Sequence, residues 1–239
     1  MKYTRWMIVG LVLAFITLPF IYIGSDYPGI TWVASSYTVT ADGEVYTHNW
    51  DALNVNVYAR FAYHILGTRF RPYFLVNAVG CLIMALSCFG CKRFSANFSR
   101  AFWTAAVSGV CNLALPFLPY IIKNRNLLIV TLTLFVVQAF FKVVMLVMIA
   151  DGMQKQVDNF VYMEVGKDLR FGAETWGFCS IMQFVLYFVI MLDILEAVWY
   201  VIVIGGMVSI CFYIWKLYYY TEKLHLLEDA PGEMEKSSR

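Results

Sequence analysis

Charge is what this sequence has least of. Charged side chains occupy 14% of its 239 positions, against about 25% in a soluble domain. The net charge is only +2, and the basic residues form no dense patch, which excludes nucleic acid as a partner. Histidine is nearly absent. His48, His64 and His225 lie too far apart for local metal-ligand spacing. There is no H-E-x-x-H, no G-x-S-x-G and no glycine-rich phosphate cradle, so the chain reads as non-enzymatic and without a cofactor.

Cysteine is missing from the one place where a secreted fold would need it. The polar stretch from Gly24 to Pro72 has none, while Cys81, Cys88, Cys91, Cys111, Cys179 and Cys211 all lie in or at the ends of apolar runs. That distribution excludes a disulfide framework and makes the thiols small apolar packing residues. Cys88-x-x-Cys91 has redox or metal spacing but lacks a second ligand pair, so packing is the preferred reading there too.

What is abundant is apolar surface. Hydrophobic residues make up 61% of the chain, beyond the usual 45–50% or so. A chain this short cannot bury that much in one globular core, and a bilayer is the solvent that accommodates it. Six runs have the roughly 20-residue length that a spanning helix requires: 6–23, 73–90, 101–122, 127–150, 175–192 and 197–215. Backbone groups in hydrocarbon must bond within their own segment, so each run is expected to be a helix. The acids in Asp193-Ile194-Leu195-Glu196 divide an apolar stretch too long for one crossing and mark a tight turn at the interface. The first run has the positive start of a signal peptide (Lys2, Arg5), but Ile23-Gly24-Ser25 is a poor cleavage site, which favours a retained crossing.

The expected fold is therefore an all-α integral membrane protein. It is a six-helix transmembrane bundle over residues 1–220 with a small extracytosolic β-hairpin cap, followed by a cytosolic tail, 221–239, disordered at its end. With the N-terminus inside, Lys2, Arg5, Lys92, Arg93, Arg100, Lys155, Lys167, Arg170, Lys216 and Lys223 lie inside and outnumber Arg60, Arg69, Arg71, Lys123 and Arg125 outside. That bias puts both termini in the cytosol, in the plasma membrane or an endomembrane. The outer loop, 24–72, holds two alternating segments, 37–40 and 44–47, on either side of Asp42-Gly43, a hairpin signature. Leu53, Val55 and Val57 extend the alternation to a possible third strand. The inner loop, 151–174, mixes charged and apolar residues as a surface helix or a solvated connector would. A long loop followed by paired runs occurs in both halves, but the halves are too unlike in sequence to argue for an inverted repeat.

Few residues carry candidate chemistry. Lys142 lies deep in the fourth run, where a lysine costs about 2.5–3.5 kcal/mol to insert. Gln138, four residues earlier, shares its helix face. Together with Asn112 they form a candidate intramembrane polar site. The competing readings for Lys142 are a pair with Glu174 or Asp193, or snorkelling to the interface. Asn77, Asn112 and Gln183 each suit helix-to-helix glue. Pro116 and Pro119 should break the third helix, as a transporter pathway requires and as an ordinary bend also does. Ala105-x-x-x-Gly109 and Gly205-Gly206 are small-residue patches that let helices approach. Glu222, Leu226 and Leu227 fit an acidic dileucine sorting pattern, with continuation of the last helix as the alternative. Asn97-Phe98-Ser99 is the only glycosylation sequon.

Two functions follow as expectations. The first is a protein that organises or assembles with other membrane proteins, or with itself, through its outer loop and helix faces. The second is a small-solute or ion transporter or channel that uses Lys142 and Gln138.

Overall fold

A computed structural model describes residues 2–15, 23–26, 37–41, 44–48, 69–122, 125–157, 165–189 and 194–229. In chain order the elements are α1 (Lys2–Phe15), β1 (Ile23–Asp26), β2 (Tyr37–Ala41), β3 (Glu44–His48), β4 (Arg69–Phe70), α2 (Tyr73–Cys91), α3 (Ala96–Ala114), a 3-10 turn (Leu115–Phe117), α4 (Leu118–Ile121), α5 (Arg125–Val157), α6 (Val165–Val189) and α7 (Ile194–Asp229). The described chain is predominantly helical. Four stretches are long and apolar enough to cross a membrane: Tyr73–Cys91, Ala96–Ile121, Ile129–Lys155 and Val201–Lys223. At 1.5 Å per residue each spans about 28 Å or more, the thickness of a hydrocarbon layer.

The other two expected crossings stand differently. α1 has 14 residues, and positions 16–22 of that run lie outside the described residues. α6 carries Lys167, Asp168, Arg170 and Glu174 in its first turns, so its apolar part is short before Val189. Both helices nonetheless share one core with the rest. Met7 and Leu11 of α1, Met84 of α2, Phe98 of α3, Leu146 of α5, Leu169 of α6 and Tyr213 of α7 are all fully buried in it.

Helix ends depart from the apolar runs for local reasons. α3 begins at Ala96, five residues before its run, because the Ser95 side chain accepts a hydrogen bond from the Asn97 amide at 3.2 Å and caps the helix. α5 reaches Val157 and α6 starts at Val165, so much of the stretch read as an inner loop is helix. Charged turns extend a helix past the bilayer without cost once they reach water. Arg170 binds Asp151 at 2.6 Å, and the Gln154 side-chain oxygen accepts from the Gly166 amide, tying these two extensions together. α3 does break at its prolines. Pro116 cannot donate to the carbonyl four residues back, and the chain tightens into the 3-10 turn before α4.

Small residues set how closely the helices cross. Gly80 of α2 lies against the backbone of Leu13 and Ala14 in α1, and Gly10 of α1 lies against Met84. Gly109 faces Cys81 across α2 and α3, and Gly205 and Gly206 face Cys179 across α6 and α7.

The strands pair as two separate ladders. β1 runs antiparallel to β4, and β2 to β3, with Ala41 opposite Glu44 around Asp42-Gly43. A cap over the bundle is not supported by this. An isolated strand pair is marginal in water and needs a third strand or a packed face, and the described residues add no third strand to either ladder. The candidate strand at Leu53, Val55 and Val57 lies outside the described residues.

Candidate functional site

The helix repeat places Gln138 and Lys142 one turn apart on the same face of α5, and both are buried, at 7% and 5% exposure. The Lys142 ammonium donates to the backbone oxygen of Ala14 at 2.8 Å and lies 4.9 Å from the centre of the Phe15 ring. An ammonium has three donors, and this contact uses one. Among the described residues no carboxylate pairs with Lys142. Glu174, an expected counter-charge, is exposed on α6, and Asp193 lies outside the described residues. The Gln138 side-chain oxygen is buried with no hydrogen-bond partner. A buried lysine without a counter-ion and a buried amide oxygen without a donor are both costly arrangements.

Both side chains open onto a cavity of about 610 Å³ bounded by α1, α2, α5, α6 and α7. Its volume lies within the range of ligand-binding pockets. Five polar residues line it: Asn77, Gln138, Lys142, Ser180 and Gln183. Apart from Gly206 and Cys211, the rest of the wall is aliphatic or aromatic and includes Phe15, Phe135, Trp176 and Trp215. The polar groups converge inside an apolar shell.

Asn112 does not belong to this site. Its amide donates to the Ser108 backbone oxygen at 2.9 Å and touches the Cys81 sulfur at 3.9 Å, while Cys81 approaches Ser108 Oγ at 3.8 Å. Asn112 faces α2 across α3, whereas Lys142 reaches α1. The three-residue grouping expected from the sequence therefore divides into a pair on the cavity and a glue residue between α2 and α3. Pro116 and Pro119 are buried, but neither lines the cavity; they neighbour a small cluster of Phe74, Leu115 and Leu118.

No family model, curated protein or solved structure matches this chain.

The remaining sequence candidates lie elsewhere. Glu222, Leu226 and Leu227 all fall on α7, which runs to Asp229, and Glu222 is exposed. Asn97 of the sequon is buried in the first turn of α3. Cys88 and Cys91 are buried in the core as free thiols.

Sequence reasoning overlooked two features. One is the α1 wall of the site, Ala14 and Phe15, for which the only signal was the small-residue spacing Gly10-x-x-x-Ala14. The other is a polar clamp at the charged end of the bundle. Asp168 of α6 accepts from Lys216 at 2.7 Å and from the Tyr220 hydroxyl at 2.6 Å, both on α7. Those hydrogen bonds, Lys216 first, hold the Asp168 carboxyl below its ordinary range.

Proposed function

We propose that this chain is a non-enzymatic, six-crossing membrane protein with both termini cytosolic, and that it takes up a small solute inside the bilayer at Lys142 and Gln138, as a transporter or channel does. The observation that carries the reading is the buried lysine, without a carboxylate partner, on the wall of a ligand-sized cavity. Intramembrane charge of this kind marks substrate and ion pathways more than it marks structure. The six-crossing topology draws on the shared core of α1 and α6 with the four long helices and on the bias of the basic residues. Flux into vesicles reconstituted with the full chain is the test. Wild-type protein should move solute and Lys142→Met should not, with Lys142→Arg retaining much of the flux. Equal flux in wild type and Lys142→Met, or none in wild type, removes the proposal.

Assembly with partners is the second reading. It is favoured by the two-stranded ladder of β2 and β3, since among the described residues each strand has one edge without a partner, to which another chain can add. The small-residue patches lend it less than expected, because Gly109, Gly205 and Gly206 are taken up by contacts within the chain. A β-hairpin cap carrying such an edge belongs to this reading. Crosslinking in native membranes that yields only monomer removes it.

A further inference from the structure

The cavity is not polar all round, and the distribution of its polar groups points to a particular ligand. Two contacts fix the register of the helices around it. Gly177 of α6 faces Val143 of α5, and the Tyr213 hydroxyl of α7 donates to the Leu146 backbone oxygen of α5 at 2.7 Å. Lys142 is therefore level with a point just before Tyr213 on α7. Gln138 lies one turn further toward the start of α5, and Ser180 and Gln183 lie beyond Gly177 in the same direction, since α6 runs opposite to α5. In the other direction the lining is Ile8 and Val12 of α1 and Ile210, Ile214, Trp215 and Tyr218 of α7, while Phe74, Phe135 and Met207 add apolar side chains on the Gln138 side. From Ile210 to Tyr218 that apolar wall extends about 12 Å at the helical rise.

A site with one buried lysine, one amide oxygen without a partner and a long apolar wall suits an amphiphile. We propose that the cavity binds a long single-chain carboxylate, its head at Lys142 and Gln138 and its chain along α1 and α7. This rests on the reading of the cavity as a ligand site given above. One negative charge neutralises the one buried cation, and a charge-assisted contact inside an apolar shell is among the stronger hydrogen bonds. Lys142 has two donors left after Ala14, and a half-turn of the Gln138 amide presents its nitrogen to the same head group. The chain then lies along apolar side chains of α1 and α7, several of which, Val12, Trp215 and Tyr218 among them, are exposed. A small inorganic anion meets the charge and leaves that channel unfilled; an uncharged amphiphile fills the channel and leaves the cation unpaired.

The test uses the full chain in nanodiscs of phosphatidylcholine and three probes: oleate, oleyl alcohol and acetate. Cys211 lines the cavity within the Val201–Lys223 span, so its rate of modification by the membrane-permeant N-ethylmaleimide reports occupancy without any substitution. Oleate should bind saturably and slow Cys211 modification about tenfold. Oleyl alcohol should bind about tenfold more weakly, and acetate should not compete. Lys142→Met should erase the preference for oleate over the alcohol, and Lys142→Arg should keep it. Equal binding of oleate and oleyl alcohol to wild type, competition by acetate at matched concentration, or oleate binding that leaves Cys211 unprotected overturns the assignment, and each is decided on wild-type protein even if a variant fails to fold. Solute flux without oleate preference removes the amphiphile and leaves transport standing. Oleate binding without flux does the reverse.

Discussion

Replacing Gly80 by alanine tests the α1–α2 contact on which the Lys142 site depends. A Cβ at this position would meet the Leu13 carbonyl carbon at 2.6 Å and Ala14 Cα at 2.8 Å, and would press on the Ala14 backbone nitrogen. All three obstacles are backbone, so no rotamer change relieves them. Restoring an ordinary contact of 3.4 Å to the nearest of these atoms moves α1 away by about 1 Å, and a shift of that size already forfeits a sizeable part of each packing contact. Overpacking of this kind costs about 1–3 kcal/mol. Gly205→Ala is the matched control, because its new Cβ meets only the Cys179 sulfur at 3.6 Å. Both substitutions gain the same helix propensity, about 1 kcal/mol, so the difference between them isolates the clash. For a chain of this size that difference corresponds to roughly 2–12 °C in apparent Tm, followed by tryptophan fluorescence in detergent at one scan rate. The same displacement strains the bond from Lys142 to Ala14, at 2.8 Å, so Gly80→Ala and Lys142→Met should be non-additive. Gly80→Ala melting at or above Gly205→Ala would refute the reasoning.

Other outcomes follow from the same contacts. Asp168→Asn should lower stability by about 1 kcal/mol at neutral pH, since the pair with Lys216 is still partly open to solvent screening. The Asp168 carboxyl is held below its ordinary range by Lys216 and Tyr220. Its stabilisation is therefore present above the unfolded-state value near pH 4 and lost as pH falls through the folded one. An acid melting series should show that loss in wild type and a flatter profile in Asp168→Asn; matching profiles would remove the effect. Tyr213→Phe deletes the bond to Leu146 and should cost about 0.5–1.5 kcal/mol, read as a Tm shift with the α-helical circular dichroism unchanged. Asn97 should carry no glycan in a secretory-pathway host, because its side chain is buried in α3. A band shift on peptide N-glycosidase treatment would contradict both that burial and a cytosolic α2–α3 turn.

The helices were legible from the sequence to the extent that hydrocarbon dictates them. α2 runs Tyr73–Cys91 where the apolar run predicted 73–90, since nothing but length and hydropathy decides such a segment. Where water and caps decide, the run misled. α3 starts at Ala96 because of the Ser95 cap, and α5 and α6 continue into charged turns that hydropathy assigns to a loop. The pairing of Gln138 with Lys142 was readable because it depends on helical repeat alone. The division of Asn112 from that pair was not, because it depends on which neighbour each helix faces, and the Gly10–Gly80 contact that fixes this joins residues far apart in sequence. The clamp of Asp168 to Lys216 and Tyr220 was hidden for the same reason.

One consequence concerns the seam between α5 and α6. Their alignment is written into side chains at two depths: Gly177 seated on Val143 in the apolar region, and Arg170 with Asp151 and Gln154 with the Gly166 amide at the charged end. None of these contacts involves residues 158–164. Two polypeptides made separately, one ending and the other beginning between residues 158 and 164, carry the full set of matching surfaces. Co-expressed in one membrane, they should find each other and reconstitute the bundle.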